Sequence, residues 1–269
     1  MDYSFLSFYD TINQDLFESN ATYITRYNDI HLSPNEYYLF FANIENYTYQ
    51  NNNTFYFVDC RNNVLGTALV NKLPLGDNKF IWEIKPSSYD FYEQEVRLRL
   101  NDNLWTNPFI YSNYRINETI RLDFKHSENL NNILYETLPS VYQGIRLKLW
   151  FDRPEIITKS NEYITSNGFR VSARSISTLE AKFIGDYITN KTYLSLCHAL
   201  NCDFIYVNKI RITDKATPSL GDNYAISFNQ KKIDFKVALN DNDKRNYNQS
   251  QIIGHFNSNH FNSNHFSTL

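Results

Sequence analysis

Methionine, glycine, proline and cysteine are all scarce in this chain of 269 residues. Methionine occurs only at the first position, and glycine and proline occur seven times each. The three cysteines, Cys60, Cys197 and Cys202, do not have the spacing of a metal site. Their odd number also argues against a disulfide scaffold, so we expect free thiols in a reducing compartment.

An excess of charge of either sign is missing as well. Charged residues make up 20% of the chain and the formal net charge is -3, which argues against the basic surface that nucleic-acid backbones require. No apolar run reaches the length of a membrane span, and the first residues lack the basic and apolar regions of an export signal. We therefore expect a soluble protein made in a cytoplasm, without a membrane or a specific nucleic-acid sequence as its partner.

Motifs for catalysis and for cofactor binding are also missing. The chain contains no nucleophile elbow, phosphate-binding loop, zinc-protease helix or dinucleotide fingerprint, so we predict a protein without enzymatic activity, cofactor or resident metal. A glycosidase with unrecognised carboxylates is the weakest of our hypotheses. It would depend on a pair such as Glu93 and Glu95, which we predict to share one strand face, although Arg97 and Arg99 favour a solvated face with ion pairs.

The abundant residues are 21 tyrosines, 20 phenylalanines and 36 asparagines. Aromatic rings favour strands, and asparagine favours turns. Three segments alternate strictly between apolar and polar or charged residues: Glu95–Leu100, Ile120–Lys125 and residues 145–149. This period of two is typical of antiparallel strands with one face on a core and the other in water. The alternation therefore predicts a mainly β protein.

Turn residues and the break at Pro108 divide the chain into four predicted segments. Residues 1–36 form an N-terminal docking arm, 37–106 a first β-sandwich domain, 107–240 a second β-rich domain, and 241–269 a flexible low-complexity tail. The strand spacing favours two tandem antiparallel, immunoglobulin-like sandwiches. In the second, one short helix at 190–200 precedes a hairpin that turns at Asn208 and Lys209. The predicted strands are 37–42, 54–59, 64–70, 79–84, 95–100, 118–124, 145–151, 169–174, 179–187, 204–207, 210–213 and 233–239.

Both ends of the chain carry aromatic residues that we expect to order on binding a neighbour. At the start these are Phe5, Phe8 and Tyr9. At the end, a five-residue repeat places Phe256, Phe261 and Phe266 directly after three histidines. Three histidines on an extended chain could converge on a metal, but docking on a neighbour, or no role at all, is the favoured interpretation.

Two tryptophans complete the predicted contact residues. Trp105 lies at the junction of the two predicted domains. Further along, the alternation directs Leu149 and Phe151 inward and leaves Trp150 on the outer face beside Arg146. An outward tryptophan is typical of a contact surface, and burial under the other domain or the arm is the alternative.

The order of features after Trp105 resembles a known family. The features are the junction Thr106-Asn107-Pro108, a strand at 120–124, the segment 142–151, the segment Ser166-Asn167-Gly168, the helix at 192–200 and the hairpin at 203–212. This order resembles tail-associated structural proteins of phages and prophages of Bacteroidota, of the crAss-like type. In those proteins an acidic junction separates a β-sandwich from a second β-rich domain, whereas the junction of this chain is not of the acidic form. The resemblance implies a tail, ring or collar component without catalytic residues, assembled as a homo-oligomeric ring with other tail or portal-proximal proteins.

Two functions are compatible with these features. The first is a non-catalytic structural subunit of a phage tail, located in the virion and acting through repeated protein–protein contacts. The alternative is a glycan-binding β-sandwich of a receptor-binding tail tip or a cell surface, which requires an exposed platform of Trp and Tyr rings. Self-association would favour the first function, and measurable affinity for glycans would favour the second.

Overall fold

The structure is a computed structural model that describes residues 8–10, 30–43, 54–59, 61–76, 79–100, 104–128, 142–151, 154–215, 219–220 and 230–245. Strands dominate these residues, and one α-helix lies among them. A short 3-10 turn spans Ile116–Glu118, and the helix α1 spans Asn190–Asn201. The strands are β1 (Phe8–Asp10), β2 (Ile30–Leu32), β3 (Tyr38–Asn43), β4 (Phe55–Val58), β5 (Val64–Ala68), β6 (Val70–Gly76), β7 (Lys79–Ile84), β8 (Glu95–Leu100), β9 (Leu104–Thr106), β10 (Phe109–Tyr111), β11 (Ile120–Lys125), β12 (Gln143–Leu147), β13 (Leu149–Phe151), β14 (Glu155–Ile164), β15 (Arg170–Thr189), β16 (Phe204–Val207), β17 (Ile210–Lys215), β18 (Ser219–Leu220) and β19 (Gln230–Lys244).

Most of the described strands belong to one large mixed sheet. Its order is β1-β9-β8-β10-β2-β12-β11-β16-β17-β19-β15-β13, with β4, β5, β14 and β18 paired at its side. Strand β10 runs parallel to β2, whereas its pairing with β8 is antiparallel. Strand β15 is the longest, because β14 and β19 supply hydrogen-bonding partners along its whole length.

A smaller sheet, with the order β3-β7-β6, packs on the large one through aromatic side chains. The ring of Trp82 in β7 stands edge-on to Phe55 of β4 at 5.2 Å. Phe40 of β3 lies 6.0 Å from Phe109 of β10, measured between ring centroids. All four side chains are buried in one hydrophobic core. Interdigitating inner faces of this kind stabilise a β-sandwich.

The predicted mainly β class is confirmed, and several elements lie where the alternation placed them. Strands β7 and β8 have the predicted bounds, and α1 covers the predicted helix. The hairpin of β16 and β17 turns at Asn208 and Lys209, whose φ angles are 44° and 77°. The two strands predicted at 169–174 and 179–187 are instead one strand, β15. The prediction also missed β14 entirely.

Strand pairs join the predicted segments to one another. Ile30, from the predicted arm, lies opposite Leu147, and Phe109 lies opposite Val96 across the predicted domain junction. Strand β19 continues beyond residue 240 into the predicted tail. The division into independent domains stays a prediction, as does their immunoglobulin-like form.

The prediction that the charged faces of β11 and β12 lie in water is wrong. Arg121 and Asp123 are fully buried, and Arg146 is only 8% exposed. The segment that follows β2 covers this face, because Glu36 reaches both arginines from it. The polar face of these two strands is therefore a second, charged interior.

Candidate interaction surface

A two-stranded hairpin stands out from the large sheet because both of its faces are exposed; we call it the ribbon. It consists of β14 and the first half of β15, paired from Glu155 opposite Glu180 to Ile164 opposite Arg170. Every side chain of β14 is exposed except that of Ile157, which is half-buried. Ten residues at about 3.3 Å each make β14 about 33 Å long. The second half of β15 pairs with β13 and β19, which anchors the ribbon in the body of the protein.

The tip of the ribbon is a hydrogen-bonded turn. Gly168 donates its N–H to the carbonyl of Thr165 at 2.9 Å, and Thr165 donates to the carbonyl of Phe169 at 2.8 Å. The N–H of Phe169 also donates to the hydroxyl of Thr165 at 3.1 Å. Gly168 has a φ of 80°, a left-handed conformation that costs glycine nothing because it has no Cβ. The tip therefore holds the two residues that flank it, Ile164 and Phe169, in a defined geometry.

Large apolar side chains are exposed along the ribbon and at its base. Ile156, Ile164 and Phe169 are 73%, 66% and 70% exposed. Further exposed apolar residues are Trp150, Tyr163, Val171 and Ile176. Because single exposed apolar residues are common but a set on one projecting element is not, the ribbon is a candidate interaction surface.

The outer edge of β14 is a second interaction feature of the ribbon. Among the described strands, β14 pairs with β15 alone. The backbone of Thr165 bonds toward β15, and successive residues of a strand direct their N–H and C=O groups to opposite sides. The groups that point away from β15 are therefore those of Ile156, Thr158, Ser160, Glu162 and Ile164. Such a row is a template for another strand.

A cluster of buried charges, which we call the Glu36 cluster, is the other unusual site. Its centre is the carboxylate of Glu36, which accepts hydrogen bonds from Arg146 at 2.5 and 2.8 Å and from Arg121 at 3.0 Å. The hydroxyl of Tyr38 also donates to it. Arg121 in turn donates to the carboxylate of Asp123 at 3.0 to 3.2 Å.

The Glu36 cluster is closed by further contacts of Arg121. Its guanidinium lies 4.7 Å from the centre of the Tyr38 ring. A Cβ on Gly144 would overlap Nη2 of Arg121 and stand 2.9 Å from Oδ1 of Asp123, so only glycine leaves room for this pair. Nη1 of Arg245 also lies 3.5 Å from the carboxylate of Asp123.

The electrostatics of the Glu36 cluster indicate a structural role. Burial disfavours the charged form of Glu36, but the hydrogen bonds and charges of Arg146 and Arg121 outweigh burial and lower its pKa to about 2. Burial raises the pKa of the Tyr38 hydroxyl. Neither group therefore exchanges a proton near neutral pH, as a general acid or base must do. The cluster joins the segment after β2 to β11 and β12.

The predicted contact residues have different surroundings. Trp150 is 49% exposed, which confirms its outward direction. Arg146, which was predicted to lie beside it on the outer face, is buried instead. Trp105 is only 9% exposed, with the guanidinium of Arg99 5.5 Å from its ring centre. Phe8 and Tyr9 belong to β1, and Tyr9 lies opposite Trp105 in the pairing of β1 with β9. Four predicted residues lie outside the described residues: Phe5, Phe256, Phe261 and Phe266.

The carboxylates considered for a hydrolase do not lie on one strand. Glu93 has a φ of 57° in the turn before β8, so the prediction that it shares a strand face with Glu95 is wrong. It forms an exposed ion pair with Arg115 at 2.8 Å. Beside this pair, the rings of Tyr92 and Tyr114 lie 4.3 Å apart, and Tyr92 is 64% exposed.

The helix α1 carries a histidine that its surroundings keep neutral. His198 is buried against Phe124, at a ring distance of 6.2 Å, and Nε2 lies 3.9 Å from Sγ of Cys202. Burial, together with the charge of His126, lowers the pKa of His198 to about 4. Cys197 and Cys202 are free thiols, and Cys202 is buried.

Comparison of the chain with protein-family models, with curated proteins and with solved structures finds no match. In the part of the chain that the structure describes, no three His, Cys, Asp or Glu residues are grouped as a metal site would need. The helix found there is too short and too polar to cross a membrane. The ribbon and the Glu36 cluster are therefore the features from which a function can be argued.

Proposed function

We propose that this protein is a non-catalytic structural subunit that assembles with further protein chains through the ribbon. The exposure of Ile156, Ile164 and Phe169 on one projecting hairpin is the observation that carries this proposal. Apolar area buried on association contributes about 25 cal/mol per Å² before the costs of binding are counted. Exposed apolar side chains of this kind mark either an aggregation liability or a surface that a partner covers after assembly, and we infer the second.

The resemblance of residues 37–240 to phage tail proteins gives this role a setting. In this proposal the subunit is made in the host cytoplasm and takes its place in a tail ring, collar or hub, beside other tail or portal-proximal proteins. The two immunoglobulin-like units, 37–106 and 107–240, form its body. The Glu36 cluster supports the proposal, because a paired and buried set of charges fixes one geometry for the strands it joins.

The tip of the ribbon offers a direct test of the structural role. We expect the double variant Ile164→Ser with Phe169→Ser to lose self-assembly, or assembly with other tail components, in sedimentation velocity and electron microscopy. Its free energy of unfolding should change by less than about 1 kcal/mol, because both side chains are exposed. The matched control is Tyr92→Ser, an equally exposed ring in a different turn. A wild-type protein that stays monomeric alone and with tail components contradicts the proposal.

Glycan binding is the second candidate function, and the exposed pair of Tyr92 and Tyr114 favours it. Two tilted rings in contact, beside Arg115 and Glu93, combine an apolar face with hydrogen-bonding groups, as sugar recognition requires. In this case Tyr92→Ala abolishes binding on a glycan array, and the double variant at the tip of the ribbon does not. The two candidate functions thus predict opposite results for the same two variants.

A further inference from the structure

The sequence of β14 reads similarly in both directions around Ser160. Ile156 and Ile157 precede a polar centre, and Tyr163 and Ile164 follow it at the same distances. The two outermost of these residues, Ile156 and Ile164, are also the most exposed apolar side chains of the strand. An antiparallel pair of two copies about Ser160 would place each of these isoleucines opposite the other.

The backbone groups of β14 fit the same arrangement. Those of Ile156, Ser160 and Ile164 point away from β15, and so do those of Thr158 and Glu162. In the pairing about Ser160, each of these residues faces another of the same set, so every pair exchanges both backbone hydrogen bonds. The pairing would use the whole outer edge of β14, from 156 to 164, which no other described strand occupies.

Side-chain pairs favour this register over the one centred on Lys159. About Ser160, Thr158 faces Glu162 of the second copy, and Lys159 faces Asn161. A register centred on Lys159 places two lysines directly opposite each other, which is unfavourable. A shift by a single residue sets the outward-pointing backbone groups of one copy opposite residues of the other copy whose groups point to β15, so the hydrogen bonds between the copies are lost.

We propose that the outer edge of β14 is a self-pairing edge: two copies of this chain join antiparallel about Ser160, so that their two ribbons form one four-stranded sheet. This inference rests on the proposed structural function and specifies one contact of the assembly. The contact is isologous, because the same edge serves both copies. Phe169 at the tip, which lies beyond the paired segment, remains available for a different neighbour.

Cysteine cross-linking tests the register. Residues facing each other in a hydrogen-bonded pair have Cα atoms about 5.5 Å apart, within disulfide range. Ser160→Cys should therefore give a covalent dimer under mild oxidation. Thr158→Cys, on the same face and also exposed, should not, because the two new thiols would be four residues apart along the strand, or about 13 Å. Equal cross-linking of both variants, or of neither, overturns the proposal.

A proline variant tests the pairing without cross-linking. The N–H of Ser160 points away from β15, so Ser160→Pro removes a donor from the outer edge of β14 and leaves the ribbon's own hydrogen bonds in place. We expect this variant to be monomeric in sedimentation equilibrium where the wild type and Ser160→Ala are dimeric. Unchanged dimerisation of Ser160→Pro overturns the proposal. A wild type that stays monomeric alone, and whose β14 pairs only with a strand of a different protein, also overturns it.

The outcomes separate this proposal from the proposed function. If the wild type assembles and neither Ser160→Pro nor Ser160→Cys alters or traps the assembly, the structural role stands and the self-pairing edge is wrong. If the wild type remains monomeric alone and does not join other tail components, both are wrong.

Discussion

Replacing Glu36 by glutamine removes the negative charge at the centre of the Glu36 cluster while keeping the size of the side chain. Two guanidinium groups, those of Arg121 and Arg146, then remain buried without their shared counter-ion. Removing one partner of a buried ion pair costs about 3 to 5 kcal/mol. The pKa of Glu36 gives a second measure, because its decrease from 4.5 to about 2 corresponds to about 3 kcal/mol of stabilisation by the ionised form. We therefore expect Glu36→Gln to lower the free energy of unfolding by about 3 kcal/mol at neutral pH.

The pH dependence of this loss follows from the direction of the pKa. A carboxyl group with a lowered pKa in the folded state stabilises the fold fully above its unfolded pKa and loses this contribution as the pH falls. The difference between wild type and Glu36→Gln should therefore shrink between about pH 5 and about pH 2. Urea unfolding, followed by the fluorescence of the three tryptophans, measures this difference at each pH.

The matched control is Glu93→Gln, which breaks the exposed ion pair with Arg115. Both of its side chains are more than 40% exposed, so the expected loss is less than about 1 kcal/mol at every pH. A loss for Glu36→Gln as small as that of the control would refute the argument. So would a loss that stays constant from neutral to acidic pH.

Three further predictions concern stability, each checked by urea unfolding. Because the pKa of His198 falls from 6.5 to about 4, the wild type should lose up to about 3 kcal/mol as the pH falls through that range, and His198→Gln should lack this dependence. Gly144→Ala should cost about 1 to 3 kcal/mol or more, because its Cβ overlaps the guanidinium of Arg121. Gly168→Ala should cost only about 1 to 2 kcal/mol, from its positive φ alone, because no atom lies within 4 Å of the added Cβ.

Each of these predictions has an outcome that contradicts it. For His198, it is an identical acid dependence in wild type and variant. For the two glycines, it is a smaller loss at Gly144 than at Gly168, since the first substitution disrupts a buried contact and the second only strains an exposed turn.

Strand β8 could be predicted because its apolar residues are buried on one face and its charged residues are half-buried on the other. The alternation of apolar and charged residues in β8 reflects this burial, and the bounds of the strand were predicted correctly. Strand β14 was missed for the opposite reason, since a strand that is exposed on both faces does not alternate between apolar and polar residues. The available signal was the turn at Thr165 and Gly168, where a glycine with positive φ closes a hairpin.

The Glu36 cluster could not be predicted from local pattern. Arginines alternating with leucines in β11 and β12 look the same in sequence when their polar face is in water and when it is covered. The polar face is covered through the contacts of Glu36, which is 85 residues from Arg121 and 110 from Arg146 along the chain. Pairing over such separations is decided only by how the strands are ordered in the sheet.

By itself, the sequence determined the class of the protein and the positions of most strands, because aromatic content and a two-residue period are local properties of the chain. Tertiary structure decided which faces are covered and which stay open. It buried the charges of β11 and β12 under the segment after β2, and it left the ribbon and the outer edge of β14 exposed. The physical reason is that burial is a property of neighbours in space, and neighbours in this sheet are distant in sequence.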